Sequence, residues 1–220
     1  MTQYPGKFIT FEGGEGAGKS TQIRMLLDAL KEKGIETIST REPGGSEGAE
    51  EIRNLILLGD KDKWDGETEA LLFFAARRDH LVRTIWPALK AGVWVISDRY
   101  VDCTRVYQGY GRGSDKAGIE TLYRFIAGDF EADLTYVLDV PPEVGLPRVM
   151  ARTQENWTPD SINRLEKMEL DFHRRVREGY LDLARKNPHR FAVVDSTHGI
   201  KAVQAEIRKV LHERLGAPFA

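Results

Sequence analysis

The sequence predicts an α/β fold, with a five-stranded parallel sheet flanked by helices in three layers and a small lid. Two observations carry that expectation. Short apolar runs rich in Val, Ile, Phe and Thr alternate with longer stretches of helical period, and such alternation implies parallel strands joined by crossover helices. The first strand-to-helix junction is Gly13-Gly14-Glu15-Gly16-Ala17-Gly18-Lys19-Ser20, then Thr21, which fits the phosphate-loop pattern G-x-x-x-x-G-K-S/T without a mismatch. The fold expected is therefore of the P-loop NTPase type, as one domain over residues 1–220 with a lid segment at about 150–164.

The elements follow in order. Residues 7–12 alternate with β-type side chains and form the first strand; its helix runs from Ser20 to a glycine stop near Lys33-Gly34. Strand two, about 36–40, delivers Arg41-Glu42-Pro43-Gly44-Gly45 into a loop, because proline and glycine forbid regular structure there. A short helix at 49–58 and a polar connector at 59–66 precede one long helix over 67–91. Ala70, Leu71, Phe74, Leu81, Ile85 and Leu89 are expected on its buried stripe, and Pro87 is expected to bend or end it. Residues 93–97 form a buried strand ending at Asp98-Arg99-Tyr100. The glycines of 107–113 read as a loop, followed by a helix at 117–127 and a fourth strand at 134–139. Pro142 opens another helix. Residues 153–162, polar and containing Pro159, read as the lid. A long helix to about Lys186, a fifth strand at 191–194 and a closing helix at 200–215 complete the chain. No repeat or interdomain linker interrupts it.

Composition narrows the function. A net charge of −2 gives no global reason to expect nucleic acid or an anionic membrane as partner, so local basic clusters need local ligands. Cys103 is the single cysteine, which forbids an internal disulfide and suits a reducing compartment. Residues 1–7 carry no apolar targeting core and no segment reaches membrane-spanning length, so the expected location is cytoplasmic. The histidines show no ligand spacing, and a zinc site is not expected.

The chemistry is concentrated at strand ends. Glycines of the phosphate loop (Gly13, Gly14, Gly16, Gly18) let consecutive N–H groups converge on phosphate oxygens; Lys19 adds charge, and the Ser20 hydroxyl suits Mg²⁺. Ligands of an open parallel sheet collect at the carboxyl ends of its strands, where Arg41 and Asp98-Arg99 also fall. Arg99 can bridge donor and acceptor phosphates while Asp98 holds Mg²⁺ through water or orients Arg99; a structural Asp98–Arg99 ion pair is the alternative. Phe73 and Arg77 share a helix face at i and i+4, which suits an aromatic-plus-cation nucleotide cradle or, equally, a core Phe beside a solvated Arg. Arg148, Arg152 and Arg164 flank the lid, as phosphate-closing cations or as surface charges. Cys103 has no activating base in view and reads as a small pocket or core residue.

With these residues in view, the sequence resembles the bacterial thymidylate kinases over nearly its whole length. The resemblance rests on Phe11-Glu12-Gly13 through Thr21, Thr40 through Gly45, Leu71-Leu72-Phe73-Phe74-Ala75-Ala76-Arg77, Asp98-Arg99-Tyr100, Tyr107-Gln108-Gly109 through Gly113, and Pro142 through Leu146. It implies transfer of the ATP γ-phosphoryl group to dTMP, Mg²⁺ as cofactor and a homodimer. It implies that Glu15 meets the sugar 3′-hydroxyl, that Arg41 and Arg77 grip the monophosphate, and that Phe73 stacks on thymine with Thr104 and Gln108 near the base. Tyr107 would disfavour a 2′-hydroxyl and Arg99 would span the phosphates. Glu15, Gly16 and Ala17 supply no cation to the loop, so the sequence is similar to the family's form that puts arginine in the lid, here Arg152 or Arg164. Cys103 stands where many relatives carry a hydroxyl or amide near the base.

Two rivals remain at this level. One is another nucleoside monophosphate kinase, for uridylate or adenylate. The other is a nucleotide-driven switch, against which stands the lack of an N-K-x-D guanine-reading motif.

Overall fold

The computed structural model describes residues 4–60, 62–155, 165–166 and 168–219, with the backbone alone for 152–155. Five parallel strands, β1 (Phe8–Glu12), β2 (Thr37–Arg41), β3 (Trp94–Asp98), β4 (Leu134–Asp139) and β5 (Phe191–Asp195), lie in the order β2-β3-β1-β4-β5. Phe11 pairs with Asp98 on one side and Tyr136 on the other, so the carboxyl ends of the central strands finish level. The expected α/β fold is the one adopted.

Alternation along the strands sorts side chains to two faces. Ile9, Phe11, Ile96, Tyr136 and Leu138 pack with Ile23, Leu26 and Leu30 of α1 (Lys19–Glu32) and with Val203, Ile207 and Leu211 of α9 (Ile200–Leu215). Phe8 and Val95 point the other way, against α3 (Gly66–His80) and α6 (Lys116–Ala127). Burial of two opposed apolar faces is what makes the sandwich of three layers. The elements not yet named are α2 (Glu47–Leu57), α4 (Trp86–Lys90), α5 (Val101–Thr104), α7 (Pro142–Glu155) and α8 (Leu170–Lys186). Local chemistry fixes several starts: the Asp65 carboxylate accepts from Thr68 N–H at 2.8 Å, and Asp115 from Ala117 and Gly118 N–H at 3.0 Å each.

Three local expectations change. The rod over 67–91 is not one α-helix, and it runs past Pro87 to Lys90. A π-helical segment, Leu81–Ile85, joins α3 to α4 and places Pro87 in the first turn of α4, where its missing N–H costs little. Leu71 does not join the buried stripe; it points outward, 55% exposed. The 107–113 stretch is not a loop: α5 continues into a π-helical segment, Arg105–Arg112, that stops at Gly113 with φ 80°. Its glycines serve close packing, since a Cβ at Gly111 would strike the Phe172 ring of α8.

Candidate active site

A cavity of about 630 Å³ opens at the carboxyl ends of β1, β2 and β3. Its floor is the phosphate loop. Gly18 turns left-handed, with φ 85°, to start α1; no side chain caps the helix and no acid occupies its first turn. The first N–H groups and the positive end of the helix dipole therefore face the cavity for an anion. Lys19 Nζ donates to the Gly13 and Gly14 carbonyls at 3.2 Å each, folded back over its own loop. Burial, then the nearby Arg99, push its ammonium pKa down, against the pull of Asp98, Glu15 and Glu12. Gly16 presses on the start of α7, where an added Cβ would overlap the Gly145 carbonyl.

β3 delivers Asp98 and Arg99. Arg99 takes a left-handed backbone, φ 70°, uncommon for a side-chain-bearing residue and held by Arg99 N–H donating to the Phe11 carbonyl at 2.9 Å and Ser97 Oγ donating to the Arg99 carbonyl at 2.7 Å. The twist turns its guanidinium to Glu15, with Nη2 donating to Oε1 at 2.7 Å. Arg99 Nη1 donates to the Gly13 carbonyl and to Tyr180 Oη, each at 3.2 Å, and the guanidinium sits 4.9 Å from the Tyr107 ring centre. Tyr107 Oη donates to the same Glu15 oxygen at 2.9 Å. Burial alone would raise the Glu15 pKa, but Arg99, Lys19 and the Tyr107 hydrogen bond outweigh it and the pKa falls. Arg99 is thus paired with Glu15 and Asp98 stays on the cavity lining, with Ser20, Thr21 and Ala17 beside it.

At the other end Phe73, Cys103 and Tyr107 line the cavity. Burial pushes the Cys103 thiol up to about 11, so it is a neutral packing group. Arg77 is placed behind this wall, 1% exposed, with Nε donating to Glu42 Oε2 at 2.7 Å and Nη2 donating to the Tyr100 carbonyl and Thr104 Oγ1 at 3.1 Å each. Gln108 donates to Glu69 Oε2 at 2.8 Å. Among the described residues, buried Arg77 Nη1 and Gln108 Oε1 have no hydrogen-bond partner. Such orphaned groups cost free energy, about 1–3 kcal/mol each, unless a ligand or water meets them.

Arg41 lines the cavity half-exposed, with its guanidinium on Glu50 at 3.0 Å. Beside it stands Arg53 of α2, which motif reading missed; its one signal in the sequence is that its helix directly follows the Arg41–Gly45 turn. Burial, then Arg41, lower its pKa, as expected of cations gathered without their anion. Arg148 also lines the cavity, donating to the carbonyls of Gly16 at 3.4 Å and Ser196 at 3.3 Å. Arg152 lies on α7 with its side chain outside the described residues, and Arg164 and most of the expected lid lie outside them altogether.

This geometry can be set beside known proteins. A protein-family model for thymidylate kinase matches residues 11–207. The thymidylate kinase of Caulobacter vibrioides is 49% identical over 216 residues, 98% of this chain and 100% of that protein. That of Ruegeria pomeroyi is 48% identical over 206 residues, 94% of each. The crystal structure of thymidylate kinase from Ehrlichia chaffeensis superposes with a TM-score of 0.76 at 36% identity, covering 94% of this chain and 98% of that one. With the family model spanning the strands, the phosphate loop and the cavity walls alike, the chain belongs to the thymidylate kinase family.

Proposed function

We propose that this chain transfers the γ-phosphoryl group of ATP to dTMP, giving dTDP, and that both nucleotides meet in the cavity above the phosphate loop. The observation that carries the reading is the joining of two half-sites by one ion pair: Arg99 and Glu15 stand 2.7 Å apart between the loop that suits ATP phosphates and the Phe73–Tyr107 wall that suits a flat base and deoxyribose.

Placement supports these roles. Residues Gly13 to Thr21 hold the ATP phosphates, with Lys19 leaving the Gly13 and Gly14 carbonyls for the outer phosphates. Arg41, with Arg53, draws in the acceptor monophosphate. Phe73 stacks on the base, Glu15 takes the sugar 3′-hydroxyl, and Tyr107 closes the space a 2′-hydroxyl would need. Arg77 and Gln108 supply the free donor and acceptor at the base edge, with Thr104 holding Arg77 in place, a use for Arg77 that its burial favours over gripping phosphate. Cys103 fills the remaining wall. Arg152 and Arg164 are the lid candidates, joined by Arg148.

Ser20 and Asp98 both line the cavity with hard oxygen donors, which fits Mg²⁺, an ion that keeps several waters and takes the rest of its shell from phosphates. Held there by Ser20 and Asp98, it would supply positive charge that neutralises charge developing in the transfer. The protein's own part is positioning and charge stabilisation: Lys19 and Arg99 gather around the moving group, and the acceptor phosphate, already an anion, needs no strong base.

The reading includes a homodimer and a cytoplasmic location. Leu71, Ala75 and Val82 form an exposed apolar stripe along α3 and the π-helical segment after it, with Phe125 of adjoining α6 87% exposed, a face suited to a second copy. Among the described residues no helix is long and apolar enough to cross a membrane.

The test is ADP release with ATP and Mg²⁺ across dTMP, dUMP, UMP, CMP and AMP. Turnover confined mainly to dTMP is expected. Preference for another acceptor would keep the phosphate machinery and discard the base-pocket roles; slow hydrolysis indifferent to acceptor would discard the kinase reading.

A further inference from the structure

Glu12 ends β1 fully buried beneath the phosphate loop, and the transfer as read above gives it no part. A buried carboxylate needs donors, and it has two from different elements. Tyr100 N–H donates to Oε1 at 2.7 Å. The Tyr180 hydroxyl of α8 donates to Oε2 at 2.7 Å, and the same Tyr180 oxygen accepts from Arg99 Nη1 at 3.2 Å. Two paths from one carboxylate therefore end on Arg99. One grips the peptide immediately after its left-handed backbone; the other grips its guanidinium. The direction of the hydrogen bonds is consistent throughout, because the carboxylate draws the Tyr180 O–H to itself and leaves the phenol lone pair turned to Arg99.

We propose that Glu12 is a positioning residue for phosphoryl transfer, acting through Tyr180 and the Tyr100 amide to hold Arg99 where it meets the phosphates. The proposal rests on reading Arg99 as a phosphate-contacting cation. It also links the site to α8: Tyr180 ties the helix that follows the lid segment to the central strand beneath the loop. Glutamine cannot replace the carboxylate, since its amide offers one acceptor and would turn N–H groups on either Tyr100 N–H or Tyr180. An ordinary core role would leave the rate of the chemical step untouched once the protein is folded.

The experiment compares Glu12→Gln, Tyr180→Phe, Arg99→Ala and the doubles Glu12→Gln/Arg99→Ala and Tyr180→Phe/Arg99→Ala, reading kcat and KM for ATP and dTMP at a temperature where each is folded. Each of the first two singles is expected to lower kcat roughly 10- to 100-fold with KM for ATP nearly unchanged, the scale of a misoriented catalytic cation. Each double is expected to be no slower than Arg99→Ala alone, because residues that act as one unit are not additive. Tyr180→Phe removes one oxygen and keeps the ring, so it carries the test if Glu12→Gln fails to fold. Normal kcat in Tyr180→Phe, or losses that multiply in the doubles, overturns the proposal while leaving an impaired Arg99→Ala and the active-site reading intact. Normal kcat in Arg99→Ala overturns the active-site reading itself and this proposal with it.

Discussion

Lys19 and Asp102 show how differently a buried charge behaves when its partner is a ligand and when its partner is built in. Lys19 rests on two loop carbonyls, and burial lowers its pKa against the pull of Asp98, Glu15 and Glu12; among the described residues no carboxylate hydrogen-bonds to it, which leaves it primed for an anionic ligand. Lys19→Ala is expected to lower kcat with dTMP by about 100- to 1000-fold, as for removal of other preorganised groups that meet developing charge, measured by ADP release. Asp102 has its partners permanently: Arg190 Nη1 donates to it at 2.6 Å and Arg105 Nη1 at 2.9 Å. Burial alone would raise its pKa, yet Arg190 and then Arg105 bring it down to about 2. A carboxyl lowered on folding adds stability above its unfolded value and loses it as pH falls toward the folded one, so the denaturant midpoint should drop between about pH 4 and 2. Asp102→Asn should remove that acid limb and cost about 1–3 kcal/mol at neutral pH, since Arg190 and the partly buried Arg105 lose one charged acceptor but keep Glu131. Glu12 has the opposite sign. Burial, then Asp102, push its pKa up, against the pull of Arg99 and of the Tyr180 and Tyr100 hydrogen bonds that its carboxylate accepts, so its contribution weakens as pH rises above 4.5. The Lys19 role is legible from its motif. The Glu12–Tyr180–Arg99 path is not, because its members lie far apart in the chain and only packing brings them together.

Among the elements, two helices meet the site through glycine rather than through bulky side chains. Gly16 in the phosphate loop and Gly145 in α7 approach so closely that a Cβ on Gly16 would overlap the Gly145 carbonyl and one on Gly145 would overlap the Glu15 carbonyl of the same loop. Gly145→Ala is expected to raise KM for ATP with little change in helix content, read by steady-state kinetics and circular dichroism, because the obstruction falls on the loop and not on the helix's own hydrogen bonds. Gly179 of α8 meets the Tyr110 ring in the same fashion, locking α8 against the Arg105–Arg112 segment. Gly179→Ala should cost about 1–3 kcal/mol by overpacking, seen as a lowered denaturant midpoint at unchanged slope. These glycines also explain the misread loop. Glycine at 109, 111 and 113 signals turns when only local preference is considered, and tertiary burial converts the first two into helix contact points, Gly109 against Lys116 and Ile119 of α6 and Gly111 against Phe172 of α8. Pro87 taught the same lesson: a π segment ahead of it absorbs what an unbroken α-helix could not.

At the scale of the whole molecule, apolar side chains left exposed among the described residues bear on assembly. Leu71, Val82 and Phe125 lie exposed on neighbouring elements and suit the proposed second copy. Leu71→Glu combined with Val82→Glu is expected to halve the mass measured by sedimentation or light scattering while leaving secondary structure intact; a wild-type chain that sediments as a monomer would remove the dimer from the reading. The five strands, the helices other than α5 and its π-helical continuation, the phosphate loop and the cations at the ends of β2 and β3 were determined by sequence alone, because each rests on local periodicity or on residues within one turn of one another. What only the tertiary structure decided is which of these groups face each other: Arg99 on Glu15 and not Asp98, Arg77 behind the wall on Glu42, Arg53 brought beside Arg41, and Glu12 wired to Arg99 through Tyr180. Those choices depend on burial, where a charge must find its partner wherever the chain happens to bring one.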